Sequence, residues 1–171
     1  LTAVFALASI VVLYTKVPSP PKISHDYEPP DKKQIFTLLK DTNLLRMNIT
    51  NMLQKGMMTL AFLVIPLLMI KEYAYAKEEL WHVYLPAMIF GIFAMGASAV
   101  FGEKKKKPKE VLIFGILLFG IAFSFIGWSD SSLIFTIGVV VFFMGFNIHE
   151  PLLQSLASKY AKIHQKGTAL G

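Results

Sequence analysis

The stretch from Glu110 to Glu150, EVLIFGILLFGIAFSFIGWSDSSLIFTIGVVVFFMGFNIHE, decides the fold. It holds two uncharged runs of 19 residues, 111–129 and 131–149, parted by Asp130. A helix rises about 1.5 Å per residue, so about 20 apolar residues cross the hydrocarbon core of a bilayer. Each run is long enough for one crossing. Upstream, 23 uncharged residues separate Glu79 from Glu103 and give a third span. Only 15 separate Lys55 from Lys71. That helix is expected to start earlier, near Leu44, with an amphipathic first part carrying Leu44, Leu45, Met47, Ile49, Met52 and Leu53.

Composition agrees with this reading. Of 171 residues, 54% are apolar and 16% charged, and mean hydropathy is +0.55. A soluble domain carries about 25% charge. The balance argues against a soluble enzyme and for an all-α, polytopic helical membrane protein. The expected spans are about 44–70, 80–102, 111–129 and 131–157. Residues 1–15 read as the end of a further helix. A secretory signal fits them poorly, because they have no basic start and no small-residue cleavage site. The chain opens inside an apolar run at Leu1 and closes at Gly171 where another segment begins, so it reads as a piece of a longer protein. There is no cysteine, hence no disulfide, thiolate nucleophile or Cys-ligated metal.

The charges set an orientation. There are 17 basic and 11 acidic residues, a net +6. If the chain crosses at each helix, Lys16–Lys55, Glu103–Glu110 and Lys159–Lys166 share one side and hold 15 basic residues. Lys71–Glu79 and Trp128–Ser132, on the other side, hold 2. Such asymmetry places the basic segments in the cytoplasm, and it accounts for the charge without nucleic acid. Residues 16–43 carry Pro18, Pro20, Pro21, Pro29 and Pro30, which keep the backbone extended. They read as a semi-rigid cytoplasmic linker, with room for a short helix Lys32–Lys40 capped by Asp31.

Small residues suggest close packing: Ala87/Gly91 and Ala94/Ser98 in one span, Gly138 and Gly145 in the last, and Gly115, Gly120 and Gly127 between them. Trp81, Tyr84 and Trp128 fit an aromatic belt. Pro66 and Pro86 permit kinks.

The most informative polar group is Glu150, nine residues before Lys159 and so roughly 13 Å deeper along the helix. Asn147 is expected one turn further in on the same face. A carboxylate in hydrocarbon costs several kcal/mol unless it is paired, protonated or facing water. Two readings stand level: a substrate site, proton site or gate; or an interhelical hydrogen bond, including a partner for groups freed before Pro151. His149 must point elsewhere, and with no second ligand nearby no metal site is expected. The loop Gly102–Lys109 reads either as a solvated turn meeting anionic lipid heads or as a latch pairing Glu103 with a base such as Lys159. No catalytic triad, HExxH helix or phosphate-binding loop is present, and no cofactor is expected.

The segments Phe142–Lys159 (FFMGFNIHEPLLQSLASK) and Lys166–Gly171 (KGTALG) resemble the tenth helix and the start of the eleventh in the major facilitator superfamily, in its bacterial drug-efflux, YajR-like branch. Trp81–Met88 is similar to the start of the eighth helix. Glu103–Lys107 sits where that family has its weaker second copy of the basic loop. Pro151 stands where the family usually has Ala and Gln154 where it usually has Pro, which predicts a helix break moved three residues inward.

The resemblance implies a 12-helix fold of two six-helix halves around a central cavity, with alternating access by rocking. This chain would run from the end of helix six to the start of helix eleven, with residues 44–171 forming most of the carboxy-terminal half. It implies a secondary active transporter of the bacterial inner membrane that exports small amphipathic molecules against a coupling proton. Its partners would be that substrate, the proton, the lipid bilayer, and the amino-terminal half and last helices of its own chain. Asn147 and Glu150 would line or gate the path, with Asn48, Asn51 and Gln54 near the cytoplasmic mouth. Glu103, Lys107 and Lys159 would form a cytoplasmic latch. The rival readings are an importer of a sugar or other metabolite on the same scaffold, and a non-transporting membrane scaffold or partner subunit.

Overall fold

The computed structural model describes residues 2–18 and 40–160. The proline-rich stretch beyond Pro18, the expected Lys32–Lys40 helix apart from Lys40, and the segment Lys166–Gly171 lie outside the described residues. Within them the chain is helical throughout its regular structure: α1 (Thr2–Lys16), α2 (Thr42–Lys71), α3 (Trp81–Ser98), α4 (Pro108–Trp128) and α5 (Ser132–Tyr160). A 3-10 turn, Lys77–Glu79, leads into α3, and a π-helical turn, Ala99–Lys104, extends it. Four units are long and apolar enough to cross a membrane: Thr42–Lys71, Lys77–Lys104, Pro108–Trp128 and Ser132–Tyr160. The chain is an all-α membrane protein.

Local chemistry places the helix ends. Asp41 caps α2, its carboxylate accepting from the backbone N–H of Asn43 at 2.9 Å and Leu44 at 3.1 Å. Pro108 opens α4, where its missing N–H costs nothing. Between α3 and α4 the reversal is tight. Lys105 N donates to Val100 O at 3.0 Å, and Lys106 takes a left-handed φ of 56°.

α5 is the central helix and packs against α2, α3 and α4. Phe135, Val139, Phe142 and Phe143 of α5 meet Ala61, Ile65 and Met69 of α2, Val83 and Ala87 of α3, and Phe119 and Ala122 of α4. Aromatic rings meet edge to face, Phe142 and Phe143 at 5.8 Å between centroids. Lipid tails are as apolar as leucine, so such packing rather than hydrophobic exclusion holds the helices together. The buried stripe of α3 is Val83, Ala87, Gly91, Ala94 and Ser98, nearly all small. Gly91 lies so close to α5 that a Cβ there would stand 2.6 Å from Asn147 Nδ2. Gly120 and Gly127 have nothing within 4 Å, so of the three glycines in α4 only Gly115 serves a helix contact.

Of the apolar residues expected in the first part of α2, Leu44 is buried and Met47 half-buried, while Leu45, Ile49, Met52 and Leu53 are exposed. The inward face there is polar, carried by half-buried Asn51 and fully buried Gln54. The expected break near Pro151 does not occur, and α5 runs through it without interruption. Proline removes one ladder bond, to the carbonyl of Asn147. The carbonyls on either side are tied to neighbouring helices, Phe146 O by Gln54 Nε2 at 3.1 Å and Ile148 O by the Ser98 hydroxyl at 2.8 Å. Neighbours of this kind let proline sit inside a membrane helix.

Candidate functional site

The polar centre of the bundle lies between α2 and α5. The Glu150 carboxylate receives Lys55 Nζ at 2.7 Å on both oxygens. Gln154 Nε2 donates to Oε1 at 3.0 Å, and Gln54 Nε2 approaches Oε2 at 3.5 Å. Lys55 Nζ also lies 5.3 Å from the centre of the Phe146 ring, within cation–π range. The two charged side chains keep 49% and 28% of their surface, so the pair opens onto an accessible face. Gln54 behind it is fully buried, and its Oε1 has no hydrogen-bond partner.

Asn147 and Glu150 do not share a target. Positions three apart on a helix differ by about 60° around its axis. Glu150 turns toward α2, whereas Asn147 is seated against Gly91 of α3 and donates from Nδ2 to Phe143 O at 2.9 Å. On α2, Gln54 reaches the cluster, Asn51 is half-buried a turn away, and Asn48 is exposed. His149 points to a third side. It is buried against Gly115 and Phe119 of α4, with Nε2 2.8 Å from Leu112 O. Within one turn of α5, Asn147, His149 and Glu150 thus face three different helices.

Comparison with known families decides what this bundle is. The family model described as Major Facilitator Superfamily matches residues 1–171. The chain belongs to the major facilitator superfamily. A curated relative, "Inner membrane transport protein YajR" of Escherichia coli (strain K12), is 29% identical over 142 residues, covering 82% of this chain and 31% of the relative. The chain thus spans about a third of that relative's length. No solved structure matches it significantly.

In this major facilitator chain the second polar contact lies at the lysine-rich end. Glu103, on the π-helical turn after α3, stands 3.6 Å from Lys159 Nζ of α5 and accepts a short hydrogen bond from the Ser155 hydroxyl. Both charged side chains are largely exposed. Lys107 does not join them. It is the residue before α4, with its backbone N donating to Phe101 O at 3.3 Å. Among the described residues no three His, Cys, Asp or Glu side chains come together as a metal site would require.

Sequence reasoning missed Lys55. As the charge bounding a 15-residue run, it reads as the end of a cytoplasmic segment. The structure puts it 13 residues inside α2, roughly 20 Å from the helix start. The missed signal is a lone lysine between Met47 and Ile70, in a stretch with no other charge. Such a residue requires a counter-charge, and Glu150 is the acid at matching depth.

Proposed function

We propose that this chain forms much of the carboxy-terminal half of a secondary active transporter, and that the Lys55–Glu150 pair is its gating contact. The observation that carries this is a charged pair deep in a membrane bundle that is hydrogen-bonded from behind and open in front. An ion pair kept only for architecture would be better enclosed, because exposure weakens it. An open pair can be broken and remade by a substrate or a proton, and it joins α2 to α5 inside the half that rocking would move as one body. Asn147, Asn51 and Asn48 would extend the polar lining, and Glu103 with Lys159 would close the lysine-rich ends of α3 and α5 in the outward-facing state. The family and the inner-membrane relative favour an inner-membrane location, the uneven spread of basic residues favours lysine-rich loops in the cytoplasm, and proton-driven export of amphipathic molecules fits that scaffold.

The test is transport by the full-length protein in everted vesicles, with a lipophilic fluorescent dye as probe and an imposed pH gradient. The wild type should accumulate dye, and Glu150→Gln should lose accumulation at unchanged membrane insertion. Unchanged flux in Glu150→Gln would remove Glu150 from the path. Gradient-driven movement in the opposite sense would replace export by uptake.

A further inference from the structure

Between α3 and α4, at their lysine-rich ends, lies a cleft of about 290 Å³. Its walls are Ala94, Ala97 and Phe101 on one side and Val111 and Phe114 on the other, with Ile148 of α5 as the floor. The one hydroxyl in its lining, that of Ser98, is committed to Ile148 O at 2.8 Å, so the walls offer a ligand no free polar group. Phe101 and Phe114 are half exposed, so the described residues leave the cleft open sideways. Two alanines leave the space, and the π-helical turn Ala99–Lys104 gives the end of α3 a wider path around it.

The mouth is cationic. Lys105 Nζ sits 4.1 Å from the centre of the Phe101 ring, which places a positive charge on the cleft's own wall. Lys107 lines the cavity beside Glu110. Residues 103–110 hold five lysines and two glutamates, and Glu103 is already taken by Lys159 and Ser155. Glu110 is therefore the one acid left against Lys104, Lys105, Lys106, Lys107 and Lys109. A basic mouth on an apolar slot at the membrane surface matches a molecule with an anionic head and a hydrocarbon tail. We infer that this cleft seats one anionic phospholipid, an acyl chain lying between α3 and α4 and the phosphate held by Lys105 and Lys107. A zwitterionic lipid would set its ammonium group among the same lysines and is disfavoured. This site is independent of the transport path and would stand if Glu150 had no role in flux.

The test uses the full-length protein in detergent, with phosphatidylglycerol and phosphatidylcholine as probes and native mass spectrometry as the readout. Phosphatidylglycerol adducts should exceed phosphatidylcholine adducts. Lys107→Gln should weaken phosphatidylglycerol retention about five-fold, Ala97→Trp should abolish it by filling the slot, and Lys77→Gln at the opposite end should leave it unchanged. A photoreactive residue at position 97 supplies a readout that needs no bulky substitution. Cross-linking to phospholipid supports the assignment, and cross-linking only to another part of the protein overturns it. Equal retention of the two lipids, or full retention in Ala97→Trp, overturns it as well.

Discussion

Replacing Gly115 with alanine adds one methyl group, and the structure assigns it a definite cost. A Cβ at this position would fall on the imidazole of His149, 2.5 Å from its Cδ2. The ring has nowhere to go. It is 1% exposed, bonded to Leu112 O at 2.8 Å and packed edge-on against Phe119 at 5.4 Å. Nearby, the α5 backbone is also close, since a Cβ on Gly145 would stand 3.2 Å from Gly115 O. The added methyl both presses α4 away from α5 and pushes the ring off its hydrogen bond. Overpacking costs roughly 1–3 kcal/mol, and a buried polar group left unpaired costs roughly 1–3 kcal/mol more. Alanine returns about 1 kcal/mol through its helix propensity. The expected net loss is roughly 1–5 kcal/mol. Gly120 is the internal comparison: nothing stands within 4 Å of its Cβ position, so Gly120→Ala should be neutral or stabilising by up to about 1 kcal/mol. Unfolding of the full-length protein in mixed micelles should rank Gly120→Ala at or above wild type and Gly115→Ala below it. In a His149→Ala background the added methyl group should cost little, a coupling of roughly 0.5–3 kcal/mol. Equal behaviour of the two alanine variants, or additivity with His149→Ala, would refute the reasoning.

Two further outcomes follow from the ion pairs. Lys55→Met or Glu150→Gln alone should destabilise the bundle by roughly 1–3 kcal/mol, between the values for exposed and buried pairs. The double variant should lose less than the sum of the two singles, and strict additivity in the same unfolding assay would show that the charges do not interact. At the lysine-rich end, Glu103→Lys should increase labelling of a Ser155→Cys reporter by a water-soluble maleimide. Adding Lys159→Glu should bring labelling back down, whereas labelling indifferent to both changes would mean that these groups hold nothing together.

The membrane class was legible because it depends on length and charge spacing alone. Uncharged runs such as 111–129 and 131–149 have one stable arrangement in lipid, in which every backbone group is satisfied within its own helix. The polar centre was legible in part. Glu150 announces itself by depth, but its partner does not, because Lys55 lies 95 positions away and local spacing carries no information about which helix α5 will touch. Pro151 misled for a related reason. Proline predicts a break when only its own helix is considered, and the donors flanking the lost bond come from Gln54 and Ser98 on two other helices. Tyr84 reads as a belt residue from its position, yet its ring is half-buried and packs on Phe143 at 6.0 Å. Glycine content gave the packing character but not the contacts, since Gly115 and Gly120 look alike until α5 is in place.

The two ends of the bundle are fastened by different chemistry. Away from the lysines, the Tyr73 hydroxyl donates to Ser129 O at 2.8 Å and the Tyr75 hydroxyl pairs with the Ser132 hydroxyl at 2.6 Å. These neutral bonds tie the end of α2 to the α4–α5 turn and respond little to ionic strength. At the other end the tie between side chains is Glu103 with Lys159, and further in along α5 Glu150 meets Lys55; both pairs are charged and partly exposed. Dissolved salt screens such contacts over about 8 Å at physiological concentration. The molecule therefore resembles a pair of tweezers, riveted with phenols at one end and magnetically closed at the other. Changes in the ionic medium would loosen the tips and leave the rivet as it was.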